Sequence, residues 1–379
     1  MTYIPIEELE DFLEVARPKF VLDKWSDITR DLQEYHFASR LFNKAGPDDM
    51  EGPQVEWRLQ IDNNDNFTFT GLYQPDVTSR KNLLTHAHMH WSMNTSNYTY
   101  DIKENVFRTS TVEIIKYMQV LEHSLYNSYF DNMERAMFGS GPTSPTQTKP
   151  PPASLLWWIQ PYNTDTGYGN ESATYQLASG VTSDFLGMNP YGYDSVGTAG
   201  VDRKAYRGWR NRVGTYSQFS EADAVDTIIE CMDKCKFKTA HQYADLAPGD
   251  KPRWELLTTY ATLKKSRALA QTNNDNLGSS LSKFKDSVVI RGAELVPVWA
   301  WSNQDFGCAR TDGIVVGVDW STMHYYSANG LRMRKPPVKQ DKDCHDVYWQ
   351  YMDDSGQLVC YDPARNFAVN STVDVTEHN

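Results

Sequence analysis

Ser110 to Phe138 reads S-T-V-E-I-I-K-Y-M-Q-V-L-E-H-S-L-Y-N-S-Y-F-D-N-M-E-R-A-M-F. Apolar side chains recur at Ile114, Met118, Leu121, Leu125, Tyr129, Met133 and Ala136 or Met137. That is the spacing of one helical face, not the alternation of a strand. Ser110 with Glu113 three places on forms a capping-box signature, in which each side chain satisfies a backbone donor of the first turn. Gly139, Gly141 and Pro142 supply the stop. At 1.5 Å per residue the helix spans roughly 40 Å. It is bracketed by strand patterns before it and a proline-rich connector after it, so the fold has to be arranged along it.

Upstream, the period changes to two. Val55, Trp57, Leu59 and Ile61 alternate with polar residues, as in a half-buried strand. Asp62-Asn-Asn-Asp-Asn66 is a turn signal, and Phe67 and Phe69 resume the alternation to Gly71-Leu-Tyr73. A second strand is expected from His86 to Asn94, continuing through Tyr98, Tyr100 and Ile102 towards the helix. Two strands alone are marginal in water, so an excursion over residues 55–107 needs a partner surface. Before it, Ile6, Leu9, Phe12 and Leu13, then Trp25, Ile28, Leu32 and Tyr35, mark two modest helical patterns. They hold too little apolar surface for a core of their own and suit an arm lying on something else.

Downstream, Thr143 to Ala153 is a connector containing Pro145, Pro150, Pro151 and Pro152. Residues 154–217 read as long ordered loops with short strands. Ser220 to Lys236 reads as a second helix with a Ser220–Asp223 cap. Trp254 to Thr259 reads as a strand leading into a helix. Further strands are expected at Val288–Ile290, Ala293–Trp301 and Ile314–Trp320. Two more, Asp346–Met352 and Gln357–Tyr361, are expected to be joined by a turn at Asp353-Asp-Ser-Gly356. The fold class is α+β, without internal repeats.

The chain has 379 residues and a formal net charge of −12. That balance disfavours a nucleic-acid-binding bulk surface, which needs clustered cations; Arg332-Met-Arg-Lys335 is the type of short basic piece present. No apolar stretch approaches the ~20 residues of a membrane span, and the N-terminus lacks the pattern of a signal peptide. Five scattered cysteines (Cys231, Cys235, Cys308, Cys344, Cys360) do not suggest a disulfide framework and fit a reducing cytoplasm. The 11 Trp and 22 Tyr suit large packed interfaces.

Catalytic patterns are sparse. His86, His88 and His90 share one face of a strand, a pattern that also occurs in metal enzymes. The opposite face is Ala87, Met89, Trp91 and Met93, however, so the histidines equally suit the wet side of an amphipathic strand. Cys231 and Cys235 stand one helical turn apart without a second pair nearby, and read as small apolar residues. Asp319-Trp320 and Tyr348 to Asp354 fix no pair of carboxylates at a defined separation. No nucleophile elbow, P-loop or dinucleotide fingerprint is present.

Several short stretches, in order, resemble the major capsid proteins of tailed bacteriophages, which share the Hong Kong 97-type fold. They are Ala16-Arg-Pro-Lys-Phe20, Asp31-Leu-Gln-Glu-Tyr35, Gly71-Leu-Tyr73, Trp91 to Tyr98 and Trp157-Trp-Ile159. Tyr206-Arg-Gly-Trp-Arg-Asn211, Asn274-Asp-Asn-Leu-Gly278, Gly317-Val-Asp-Trp320 and Cys360 to Phe367 follow. The resemblance runs over roughly residues 20–370.

It implies an N-terminal arm (1–54), an extended E-loop hairpin (55–107) and a peripheral domain (108–219) with the spine helix 110–138. An axial domain (220–335) and a C-terminal return to the peripheral domain (336–379) complete the expected layout. The implied function is a head protein that self-assembles as pentamers and hexamers into an icosahedral shell around double-stranded DNA, without catalysis, cofactor or bound metal. The implied location is the virion, after assembly in the host cytoplasm. Partners are further copies of the chain, a separate scaffold protein if any, a portal and decoration proteins. Some relatives crosslink a Lys to an Asn of a neighbour; Lys81 and Lys103 lie in the hairpin without a mark of reactivity, so no crosslink is expected. Expected contact residues are Trp57, Phe67, Phe69, Met89, Trp91 and Met93. The alternatives are a metal-dependent enzyme using His86, His88 and His90, or another virion component such as a tail protein.

Overall fold

The computed structural model describes residues 32–42, 49–62, 69–72, 82–103, 111–144, 147–161, 197–203, 205–235, 254–272, 288–303, 308–344 and 346–371. The early arm patterns, Phe67, the Ser110 cap and Asn274–Gly278 lie outside them.

In chain order, a π-helical turn at Phe37–Phe42 precedes β1 (Asp49–Met50), β2 (Gln54–Gln60), β3 (Leu84–His90) and β4 (Ser92–Asp101). The long helix α1 runs from Thr111 to Phe138, as its periodicity requires, and the short α2 is Leu155–Trp158. Next come β5 (Arg212–Tyr216), α3 (Asp226–Cys235), β6 (Trp254–Thr258), α4 (Tyr260–Thr272), β7 (Val288–Ile290), β8 (Ala293–Pro297) and α5 (Trp299–Ser302). The chain closes with β9 (Val315–Asp319), β10 (Met323–Ala328), β11 (Lys339–Gln340), β12 (Val347–Cys360) and β13 (Phe367–Ser371).

These strands form a two-stranded hairpin and two larger sheets. β2 and β3 pair antiparallel, Gln54 opposite His90 and Gln60 opposite Leu84. The first sheet has the order β1-β10-β12-β11, with β4 also paired to β12. The second has the order β5-β13-β9-β6-β8-β7 and carries α3 and α4.

Two readings of the sequence are corrected here. The strand expected to run from His86 into the helix divides at Trp91. Its first half completes the hairpin, and its second half pairs with β12 from Ser92–Gly356 to Asp101–Val347. The turn expected at Asp353–Gly356 does not form; β12 is one strand through all four residues. Gly356 is there for space: a Cβ would lie 2.0 Å from the Tyr325 hydroxyl oxygen. A glycine inside a strand often marks such a close approach.

The second helix also starts differently from expectation. A π-helical turn, Glu221–Val225, leads into α3, and Ser220 makes no side-chain cap. Instead the Asp223 carboxylate accepts the Ser217 and Gln218 backbone N–H groups and the Ser217 hydroxyl, each at 2.9 Å. Ile228, Cys231, Met232 and Cys235, spaced one and two turns apart, are the buried face of α3.

Tryptophans join the layers, each burying a large apolar ring and offering one N–H to a distant carbonyl. Trp157 and Trp158 meet edge to face at 5.0 Å. Trp158 Nε1 donates to the Leu358 carbonyl at 3.0 Å, and Trp301 Nε1 donates to the Phe138 carbonyl, at the end of α1, at 2.9 Å. Along α1 the described stripe is half-buried at Met118 and Leu121 and fully buried at Leu125, Tyr129, Met133, Met137 and Phe138. The long helix is thus packed most deeply at its C-terminal end.

Candidate assembly surface

The hairpin leaves the body between α2 and the loop at Thr198–Val201. Val55, Trp57, Ala87 and Met89 alternate inward and are buried, whereas Glu56, Arg58, His86, His88 and His90 face solvent. The Trp57 ring lies 6.2 Å from Trp158 and 6.1 Å from Tyr361. Trp91 Nε1 donates to the Gly52 carbonyl at 3.0 Å. The His88 N–H donates to the Ala199 carbonyl at 3.0 Å, and the His88 ring covers Gly200, where a Cβ would approach it to 2.5 Å. The hairpin foot is therefore fixed within the subunit.

The outer part is different. Ile61 continues the ladder by donating to the Leu83 carbonyl at 3.0 Å. Beyond it, Phe69 is 93 % exposed and Leu72 91 % exposed. Leu84, at the outer end of β3, and Met93, on β4, are also exposed. Apolar side chains that reach water together at one end of a projecting ribbon are a surface awaiting a partner.

Of the expected contact residues, Trp57, Met89 and Trp91 are packed inside the subunit, and Phe69 and Met93 are at its surface. Leu72 and Leu84 were not singled out by the sequence, which lacks a clean alternation there. The three imidazoles of β3 stand on the exposed face, and among the described residues no group of three His, Cys, Asp or Glu is placed to hold a metal. Cys231, Cys235 and Cys360 are buried. Burial pushes the Cys360 thiol up to about 12 and the Cys235 thiol higher still, so both remain protonated apolar fillers. Asp319, once weighed as a catalytic acid, is 2 % exposed. It accepts the Ser321 N–H at 3.1 Å and hydroxyl at 2.8 Å, holding the turn after β9.

What the sequence did not reveal is the clamp on the chain entering the body. The Glu134 carboxylate of α1, 1 % exposed, accepts the His36 and Phe37 backbone N–H groups at 2.9 and 2.8 Å. Tyr35 donates to Asp131 on the same helix. Arg40 grips Glu255 of β6 through Nε at 3.0 Å and Nη2 at 2.7 Å, and the His36 ring bonds the Pro297 carbonyl at 3.1 Å. Residues 35–42 are thereby tied both to α1 and to the second sheet. A second buried centre is Asp354 of β12. It accepts the Tyr129 hydroxyl of α1 at 2.8 Å and the Tyr325 hydroxyl of β10 at 3.2 Å.

No protein-family model matches the chain, and no curated protein matches it in sequence. Solved structures do match over the whole length. The chain is similar to the subunit of a cyanophage A-1(L) capsid asymmetric unit at 12 % identity and a TM-score of 0.57. That alignment covers 94 % of this chain and 98 % of the other. A subunit from the capsid of an empty GTA particle matches at 9 % identity and a TM-score of 0.50, covering 92 % and 100 %. With its hairpin, its long helix and its two sheets matched from end to end, the chain has the Hong Kong 97-type capsid fold.

Proposed function

We propose that the chain is a major capsid protein, which assembles as pentamers and hexamers into an icosahedral shell around double-stranded DNA. The observation that carries this reading is the whole-chain likeness to capsid subunits, 94 % of this chain against 98 % of the cyanophage one. A fold matched so completely leaves no additional domain to house another activity. The exposed apolar end of the hairpin supports the same reading. A ribbon of this kind gains a partner when it lies across a neighbouring copy, and repeated head-to-tail contacts close rings.

The function in this reading is binding, not catalysis. Its partners are further copies of the chain, with a separate scaffold protein, a portal and decoration proteins meeting the shell, and its location is the virion. Among the described residues no helix is long and apolar enough to cross a membrane. Phe69 and Met93 are its leading contact residues, and Trp57, Met89 and Trp91 hold the hairpin in position to present them.

Velocity sedimentation of the purified chain, alone and with its scaffold protein, tests the reading. The expected result is a rapid boundary of a species far heavier than the 43.4 kDa chain. A slow monomer boundary in both preparations would refute it.

A further inference from the structure

At the hairpin foot lies a cleft of about 790 Å³, within the roughly 300–1,000 Å³ range of ligand-binding clefts. It lies between the outer half of β2, the loop before β5, the end of α3 and the turn after β12. Arg58, Arg210, Arg212 and Lys234 line it, against one lining carboxylate, Asp362. Lys234 pairs with Glu230 at 2.7 Å and Asp362 with Arg365 at 3.2 Å, and the balance stays positive with those two included. Tyr361, 37 % exposed, adds an aromatic face. A cationic cleft in a chain of net charge −12 is built for an anionic partner.

The chain itself contains one. From Met1 to Ala16 it carries Glu7, Glu8, Glu10, Asp11 and Glu14 without a single Lys or Arg, interleaved with Ile6, Leu9, Phe12 and Leu13. Eighteen residues separate Glu14 from Leu32, where the described chain begins. Fully extended they reach about 60 Å, more than the roughly 50 Å width expected of a compact chain of this length. The acidic segment thus has the reach to leave its own subunit. We infer that the cleft at the hairpin foot receives the acidic segment Ile6–Glu14 of a neighbouring copy. The carboxylates meet the cations and the apolar residues meet Tyr361 and the strand edge. This rests on the shell reading and names the partner of one of its surfaces.

The test places a photocrosslinker in the full chain as Gln60→p-benzoylphenylalanine, at an exposed residue on the cleft rim. Isotope-labelled and unlabelled copies are mixed, and both soluble protein and sedimented particles are irradiated. The expected adduct joins residue 60 to a peptide within Met1–Arg17, in mixed-isotope pairs. Adding Arg58→Glu lowers its yield about 2- to 5-fold, the effect of one exposed charge contact, and a compensating Glu10→Arg restores it. Adducts to other segments, to nucleic acid, or only within one copy overturn the inference, as does their absence from both preparations. Failure to form particles, by contrast, refutes the shell reading, while adducts between soluble copies still report on the cleft.

Discussion

Glu134 and His36 are joined across 98 residues of sequence by a 2.9 Å bond from the His36 backbone N–H to a carboxylate oxygen buried in the flank of α1. The other oxygen takes the next N–H, that of Phe37, at 2.8 Å. One side chain thus satisfies two backbone donors that a turn of helix leaves open, and it sets where the chain crosses the long helix.

Burial pushes Glu134 up to about 7, against the opposing pull of its two N–H donors. A carboxyl whose folded pKa is raised contributes stability fully present below its ordinary value of 4.5 and lost as pH rises through about 7. The span corresponds to about 3 kcal/mol. His36, which burial holds below its usual range, contributes in the opposite sense, stability lost as pH falls, so the comparison is made between variants. Urea unfolding of Glu134→Gln is expected to show a lower mean stability, because one of two acceptor oxygens is lost. It is also expected to lack the decline that the unmodified chain shows between pH 4.5 and 7. Equal pH slopes in the two proteins would contradict the assignment.

Gly356 lies under the Tyr325 ring, where a Cβ would come within 2.3 Å of the ring carbon bearing the hydroxyl. The same ring bonds Asp354, so it cannot move aside without releasing a buried carboxylate. Gly356→Ala is therefore expected to cost at least the 1–3 kcal/mol typical of overpacking. The check is a fall in the denaturation midpoint, with Gly330→Ala, at an open turn position, as the control for backbone strain alone. A neutral Gly356→Ala would show that β10 and β12 are packed more loosely than described.

Trp57 and Met93 separate core from surface. Trp57 is 7 % exposed and Met93 78 % exposed, although both lie in or beside the hairpin. Trp57→Ala is expected to lose about 3–5 kcal/mol of subunit stability through the cavity it leaves. Met93→Ser and Phe69→Ser are expected to hold stability within about 0.5 kcal/mol while reducing the sedimented fraction. If all three variants lose stability alike, the division between core and contact surface is wrong.

The sequence made α1 legible because seven apolar positions keep one period over nearly thirty residues. It made β2 and β3 legible because they alternate cleanly. β5, β10 and β13 were hidden, since Val213, Tyr325 and Phe367 sit in short strands whose burial comes from sheets assembled across long sequence separations. Asp353-Asp-Ser-Gly356 carries every local mark of a turn. The buried bonds of Asp354 and the ring above Gly356 are tertiary facts that local chemistry does not contain. In the hairpin, the alternation of Val55, Trp57, Ala87 and Met89 indicated one buried face without saying whether its cover is the same chain or a neighbour. Only the packing of Trp57 on Trp158 supplies that answer. The Glu134 clamp was hidden for a related reason: a lone Glu on a helix has the signature of a solvated residue until the chain that crosses it is placed.

Electron microscopy of the purified chain, with and without its scaffold protein, tests the central claim most directly. The account predicts closed shells of uniform diameter with fivefold and sixfold rings of subunits on their surface. Open tubes or isolated rings would assign the chain to another virion component. Monomers alone under every condition would contradict the capsid reading.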